Sequence, residues 1–199
     1  MEYDDILVAI NGPVLTVTIS DGMNEFRPGL DPIQVSPAAE LVINVSTAPW
    51  IPVTEVRVIV NGRLVNTETG KGANRPIDIS GDFGGNHLGT QPLTLKYPLR
   101  LSLSSLLTTA QPSDCSGNCL MSDAWLVVEA GLKLPEAADL DGDGLPDLAA
   151  ADIPGRPDRV TDPRFDFHAI APGAWPAAFT NPFLLDVAGD GWKAPGLAP

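Results

Sequence analysis

The chain has 199 residues, of which 44% are hydrophobic, so it is long enough and apolar enough for a globular core. Its formal charge is −13, with 25 acidic against 12 basic residues, and the basic residues are scattered rather than clustered. Binding to nucleic acid or anionic lipid needs a cluster of Lys and Arg, so composition argues against both partners and favours metal cations. The sequence has no run of about 18 apolar residues, the length that a membrane-spanning helix needs.

The first residues, "MEYDDILVAINGPVLTVTIS", lack the basic start and continuous apolar stretch of a signal peptide. Residues 2–10 predict a short helix, with Ile6, Leu7 and Ile10 on one side behind an acidic first turn. Because such a helix is too short to stand alone in water, we interpret residues 1–12 as the remnant of a helix that links to an upstream domain.

Alternating apolar residues predict the strands that follow. In "VLTVTI", "LVINV" and "TEVRVIV" one face of each strand is apolar, which predicts these inward residues: Leu15, Val17, Ile19, Leu41, Ile43, Val45, Val56, Val58 and Val60. Asn61 and Gly62 favour the positive backbone angles of a type I′ turn, so residues 54–60 and 63–67 should form a hairpin.

The stretch "PLTLKYPLRLSL" predicts a long strand with Leu93, Leu95, Tyr97, Leu99, Leu101 and Leu103 on its apolar face. Pro98 cannot donate to a ladder, which indicates an edge or a bulge. With a further strand at residues 124–130, the pattern predicts an antiparallel immunoglobulin-like β-sandwich over residues 13–134, with a long loop at 67–91. Residues 135–199 are predicted to be an Asp/Pro-rich extension packed on the sandwich, with one strand at "FLLDV".

The extension begins with an acidic loop, "DLDGDGLPDLAAAD". Its carboxylates hold positions 1, 3, 5 and 9 of a calcium loop and the position-7 carbonyl adds an oxygen, which predicts a structural calcium site at Asp139, Asp141, Asp143, Leu145, Asp147 and Asp152. Ala150 stands where a helix-loop-helix calcium hand has glutamate, so the loop resembles the shorter loops of extracellular repeats. The alternative is a solvated acidic turn.

A weaker copy of this loop is "DVAGDGW". Asp186 and Asp190 hold positions 1 and 5, but Ala188 removes the oxygen of position 3, so these two residues form only a weak calcium candidate. A glycine turn that closes the last strand is the preferred interpretation.

Cys115 and Cys119, in "CSGNC", are the two cysteines of the chain. We expect a local disulfide, while two free thiols and a metal site remain open. A disulfide points to an extracellular or periplasmic parent protein, which conflicts with the lack of a signal peptide. The conflict suggests that the chain is not a complete gene product.

The run "FTNPFLLDVAGDGWKAPG" resembles the ending of the CehA/McbA family of metallohydrolases, whose catalytic domain is of the polymerase-and-histidinol-phosphatase (PHP) type. The residues that match are Thr180, Asn181, Pro182, Asp186, Gly189, Asp190 and Gly191, and Ala188 departs from the pattern. "DDILVAINGPVLTVTISDG" and "WIPVTEVRVIVNG" are similar to the helix, strand and hairpin that follow the family's catalytic domain. The resemblance implies that this chain follows an upstream domain that binds zinc or manganese.

A PHP-type site needs several histidines with acidic ligands, and this chain has two, His87 and His168, each of which we expect to be a hydrogen-bonded structural residue. We therefore expect a noncatalytic C-terminal accessory module, with the upstream catalytic domain as its partner. The alternative is a stand-alone secreted calcium-dependent adhesion or carbohydrate-binding module. For that alternative, the aromatic residues could form a ligand platform, although core packing is the simpler interpretation: Trp50, Phe165, Phe167, Trp175 and Phe179.

Overall fold

The computed structural model describes residues 8–9, 12–36, 38–65, 76–85, 89–110, 123–133 and 175–195. Over these ranges the protein is mainly β, with fourteen strands and one short helix, all in two sheets or packed on them. No helix within the described ranges has the length and apolar character to cross a membrane.

The larger sheet, sheet 1, is built around strand β12. This strand pairs antiparallel with β6 on one side and with β13 and β14 in succession on the other. Strand β1 pairs with β13, β4 runs parallel to β14, and β7 and β8 pair with β6. The bounds are β1 Val8–Ala9, β4 Ile33–Gln34, β6 Glu55–Val60, β7 Arg63–Val65, β8 Ile77–Asp78, β12 Ala124–Gly131, β13 Ala177–Phe179 and β14 Phe183–Asp186.

Sheet 2 is built around strand β5. All seven residues of β2 pair antiparallel with one side of β5, and β10 and β11 pair with its other side. Strand β3 pairs with the end of β2, and β9 pairs with β10. The bounds are β2 Val14–Ser20, β3 Glu25–Phe26, β5 Glu40–Thr47, β9 Phe83–Gly84, β10 Leu93–Leu95 and β11 Leu99–Ser102.

The two sheets share one hydrophobic core, which gives the protein the character of a β-sandwich. Leu15 and Ile43 of sheet 2 and Val56 and Phe183 of sheet 1 are buried in the same cluster. The inward residues predicted for the first three strands are all buried, which confirms the predicted core-facing side of each strand.

The hairpin at Asn61 and Gly62 is confirmed. Both residues have positive φ angles, 50° and 78°, as a type I′ turn requires. The turn is also fastened to the neighbouring strand, because Asn61 donates its backbone N–H to the Trp125 carbonyl at 3.0 Å and accepts the Trp125 N–H on its side-chain oxygen at 2.9 Å.

The long strand predicted across residue 98 is broken into β10 and β11. Pro98 lies in the break, as expected of a residue without an N–H. The prediction that Tyr97 faces the core is wrong, since this side chain is 81% exposed. After β11 the chain forms a helix that the alternation did not predict, α1 at Leu103–Thr109. Its N-cap is Ser102, and it buries Leu103, Leu106 and Leu107 against the core.

Both ends of the chain differ from the sequence-based expectations. Residues 8 and 9, predicted to belong to a helix, form strand β1 instead, and the other residues of that prediction up to residue 10 lie outside the described ranges. The strand predicted at "FLLDV" is present as β14, but β13 was not predicted. Because β13 and β14 both pair with β12, residues 177–186 are part of sheet 1 rather than an addition to it.

Candidate functional site

The acidic loop predicted to bind calcium lies outside the described residues. The same holds for the two cysteines and the two histidines, so the structure does not test their roles, and these stay predictions: Asp139, Asp141, Asp143, Leu145, Asp147 and Asp152 as calcium ligands, Cys115 and Cys119 as a disulfide, and His87 and His168 as structural residues.

The weaker loop is described, and it places Asp186 and Asp190 beside a third carboxylate. Oxygens of Asp123, Asp186 and Asp190 lie within 4.8 Å of one another. Asp123 immediately precedes β12, Asp186 is the last residue of β14, and Asp190 lies in the loop after it. The pairing of β12 with β14 therefore brings the three carboxylates together. Sequence reasoning missed Asp123 because no local pattern links it to a loop more than sixty residues away.

Asp186 is held by the backbone of its own loop. Its carboxylate accepts hydrogen bonds from the Gly189 N–H at 2.6 Å and the Gly191 N–H at 3.1 Å. Both glycines have positive φ angles, 73° and 93°, which turn the two N–H groups toward one side chain. A Cβ on Gly189 would also lie 2.4 Å from the Gln34 amide nitrogen. The glycines therefore shape a closed turn around a carboxylate that is 9% exposed.

Asp123 fastens the same loop to the start of β12. Its carboxylate accepts hydrogen bonds from the backbone N–H groups of Val187, at 3.3 Å, and Lys193. The Trp192 indole donates to the Ala124 carbonyl at 3.4 Å. These bonds hold the loop against the start of β12, at the end of β14.

Asp190 is exposed and forms an ion pair with Lys193, with 2.5 Å between Oδ2 and Nζ. The hydrogen bond and charge of the Lys193 ammonium lower the pKa of Asp190, and Asp190 in turn raises the pKa of Lys193. Each of the three carboxylates thus accepts at least one hydrogen bond from another group of the protein. Carboxylate oxygens have further lone pairs, so the cluster keeps the capacity to bind a cation.

The residues Thr180, Asn181 and Pro182 join β13 to β14 and interrupt their pairing with β12. The Thr180 N–H donates to the Val128 carbonyl at 2.9 Å, and its hydroxyl accepts the Val128 N–H at 3.1 Å. The Pro182 carbonyl accepts the N–H of Gly29 at 3.0 Å. At this junction Thr180 therefore hydrogen-bonds the N–H and C=O groups of Val128 in the central strand β12. Pro182 binds the backbone at Gly29, in the segment between β3 and β4.

The aromatic platform is described only in part. Trp50 and Trp175 are half-buried and Phe179 is 37% exposed, whereas Phe165 and Phe167 lie outside the described residues. Whether these side chains form one surface stays a prediction.

Comparisons of the chain with protein-family models, with curated proteins and with solved structures found no match.

Proposed function

We propose that the chain is a noncatalytic β-sandwich accessory module of a CehA/McbA-like, PHP-type metallohydrolase, with a structural calcium site. The observation that carries the proposal is what the residues of the resemblance do. Thr180 accepts a hydrogen bond from the Val128 N–H of the central strand, while Asp186 accepts hydrogen bonds from the N–H groups of Gly189 and Gly191 in the turn after β14. Residues with such roles belong to the framework of a domain and not to a reaction site, as expected of a region outside the catalytic domain.

The order of the strands supports an immunoglobulin-like arrangement. Apart from the two-residue strands β1, β3, β4 and β8, the order in sheet 2 is β2, β5, β10 with β11, and β9, and in sheet 1 it is β13 with β14, β12, β6 and β7. Taken in chain order, these are the positions of strands A, B, E and D and of strands G, F, C and C′ in that fold. Such sandwiches commonly serve as accessory domains, an argument from analogy of fold.

The chain's own composition supports the absence of a hydrolytic centre. Two histidines in 199 residues cannot supply the several imidazole ligands of a PHP-type site, so the zinc or manganese ions would be bound by the upstream domain. The test is an assay of ester and phosphoester hydrolysis by the purified chain with added zinc or manganese. We expect no turnover above a metal-only blank, and substantial turnover would overturn the proposal.

The DNA upstream of residue 1 provides a second test. We expect an in-frame, histidine-rich domain there. Its absence, together with a ribosome-binding site directly before Met1, would instead support the stand-alone adhesion or carbohydrate-binding module.

Calcium binding is tested by calorimetric titration after chelator treatment. Calcium at about a hundredfold excess over its dissociation constant should stabilise the fold by about 2.7 kcal/mol, and magnesium should do so less well. Asp141→Ala and Asp143→Ala should each remove most of this response. Asp190→Ala is the matched control and should keep it, because Asp190 is already paired with Lys193. No heat and no shift in melting temperature would reduce the acidic loop to a solvated turn.

A further inference from the structure

In the part of the chain that the structure describes, strand β2 has one edge that is largely unpaired. All of its seven residues pair with β5 on one side, but on the other side only Ile19 and Ser20 pair, with β3. Within the described ranges, no hydrogen bond reaches the outer edge of residues 14–18. An edge of this kind presents backbone N–H and C=O groups that can pair with another strand.

Strand β3 ends early because of the residues that follow it. Pro28 has no N–H to donate to β2, and the Gly29 N–H donates to the Pro182 carbonyl of the β13–β14 junction. The chain therefore crosses from sheet 2 to sheet 1 at this point. This crossing segment faces the outer edge of β2 but does not pair with it.

A cavity of about 560 Å³ opens along this edge. Its walls are β2, the crossing segment at Arg27 and Pro28, the β13–β14 junction at Asn181, and the outer face of sheet 2 at Asn44. Asn44 and Asn181 are half-buried, and their amide side chains have no hydrogen bond to any part of the chain that the structure describes. Each amide can both donate to and accept from the backbone of a bound peptide.

The residues along β2 indicate what kind of strand would fit. Leu15 and Val17 are buried on the core side of the edge, and Thr16 and Thr18 face the outer side. An added strand alternates in the same way, so its residues beside the buried pair would be apolar and those beside the threonines polar. Side chains of both charge signs line the cavity at Arg27, Arg100 and Glu25, and Arg100 is already paired with Glu40, so the polar residues of the added strand should be uncharged.

We propose that the outer edge of β2 binds an extended peptide from another protein by addition of a β-strand, with apolar residues alternating with uncharged polar ones. Five residues of strand, about 17 Å, would pair with residues 14–18. A second copy of this chain fits less well for two reasons. Each copy has a formal charge of −13, so two copies repel each other, and the crossing segment leaves room beside β2 for one strand only.

The test uses the purified chain and a fluorescein-labelled peptide of about seven residues that alternates valine and threonine. We expect saturable binding by fluorescence anisotropy with a dissociation constant below about 1 mM. The control peptide has the same side chains, but alternate residues carry a backbone N-methyl group in place of the N–H that would face β2. It should bind at least about tenfold more weakly, since N-methylation removes only main-chain donors. Equal binding of the two peptides, or no binding of the first, would overturn the proposal.

Hydrogen exchange and a matched pair of variants locate the site. The outward amides of residues 14–18 should exchange fast in the free chain and slowly with peptide; slow exchange in a free monomer would mean that a segment of the same chain covers the edge. Thr16→Glu should weaken binding at least about tenfold, and Thr94→Glu, on a strand of the same sheet that is paired on both sides, should not. Equal effects of the two variants, or a dimer that protects the same amides, would overturn the proposal.

Discussion

Arg57 and Glu129 are direct neighbours across strands β6 and β12, and the Arg57 Nε donates a hydrogen bond to the Glu129 Oε2 at 2.9 Å. The same guanidinium also binds the Glu55 carboxylate. Both Glu55 and Arg57 lie on the face of β6 opposite Val56 and Val58, yet they are only 6% and 7% exposed. Buried charges on this face are tolerated because they are paired.

Arg57→Ala should therefore destabilise the fold by about 3 kcal/mol, because it leaves the Glu55 carboxylate buried without its counter-charge. The control is Arg100→Ala, which removes a pair with Glu40 whose side chains are 59% and 50% exposed, and should cost less than about 1 kcal/mol. Urea unfolding of the two variants gives the comparison. Equal losses would mean that burial adds nothing to the Arg57 pair.

Asp186→Ala should destabilise the fold by about 2 kcal/mol, because the N–H groups of Gly189 and Gly191 lose a charged acceptor. The measurement is made with chelator present, so that the loss does not depend on a bound metal. Asp190→Ala is the control from the same loop, and its exposed pair with Lys193 should matter little to the melting temperature. A loss for Asp186→Ala that occurs only with calcium would show that the carboxylate acts through a metal.

Gly12→Ala should destabilise the fold by about 1–3 kcal/mol. A Cβ at Gly12 would lie 2.5 Å from backbone atoms of Ala177, where the chain passes from sheet 1 to sheet 2. Gly29→Ala is the control, since a Cβ there meets nothing within 4 Å, and should leave stability unchanged or raise it by less than about 1 kcal/mol. Thermal unfolding of both variants decides whether the close approach at Gly12 is required.

The acid stability of the fold should depend on Asp21. The backbone N–H of Asn24, followed by that of Met23, lowers the pKa of Asp21 below its ordinary value of 3.8. A carboxyl whose pKa is lower in the folded state contributes stability above the unfolded value and loses it as the pH falls through the folded value. Asp21→Asn should therefore show a shallower fall of melting temperature below about pH 4 than the parent chain.

The control for this profile is Asp31→Asn, which removes one exposed acidic charge without removing a hydrogen bond in the described part of the chain. Its melting temperature should fall with acid as steeply as that of the parent chain. If both variants flatten the profile equally, net charge rather than the turn at Asp21 governs acid stability.

The sequence by itself determined the features that depend on neighbouring residues. Alternation predicts the buried side of a strand such as β5, because one face must leave water while the other stays in it. Asn61 and Gly62 predict their turn because few other residues adopt two successive positive φ angles at low cost. The predominance of strands and the break at Pro98 follow from equally local rules.

Only the tertiary structure decided what happens between distant segments. Arg57 and Glu129 are 72 residues apart, and whether an outward charge is buried depends on what packs over it. Asp123 meets Asp186 because β12 and β14 pair, which no local pattern specifies. Strand β13 was missed because "AAF" is too short and too small to signal a strand, and it exists because β12 offers it a partner. Among the described strands, the extent to which the outer edge of β2 is paired likewise depends on where β3 turns away toward sheet 1.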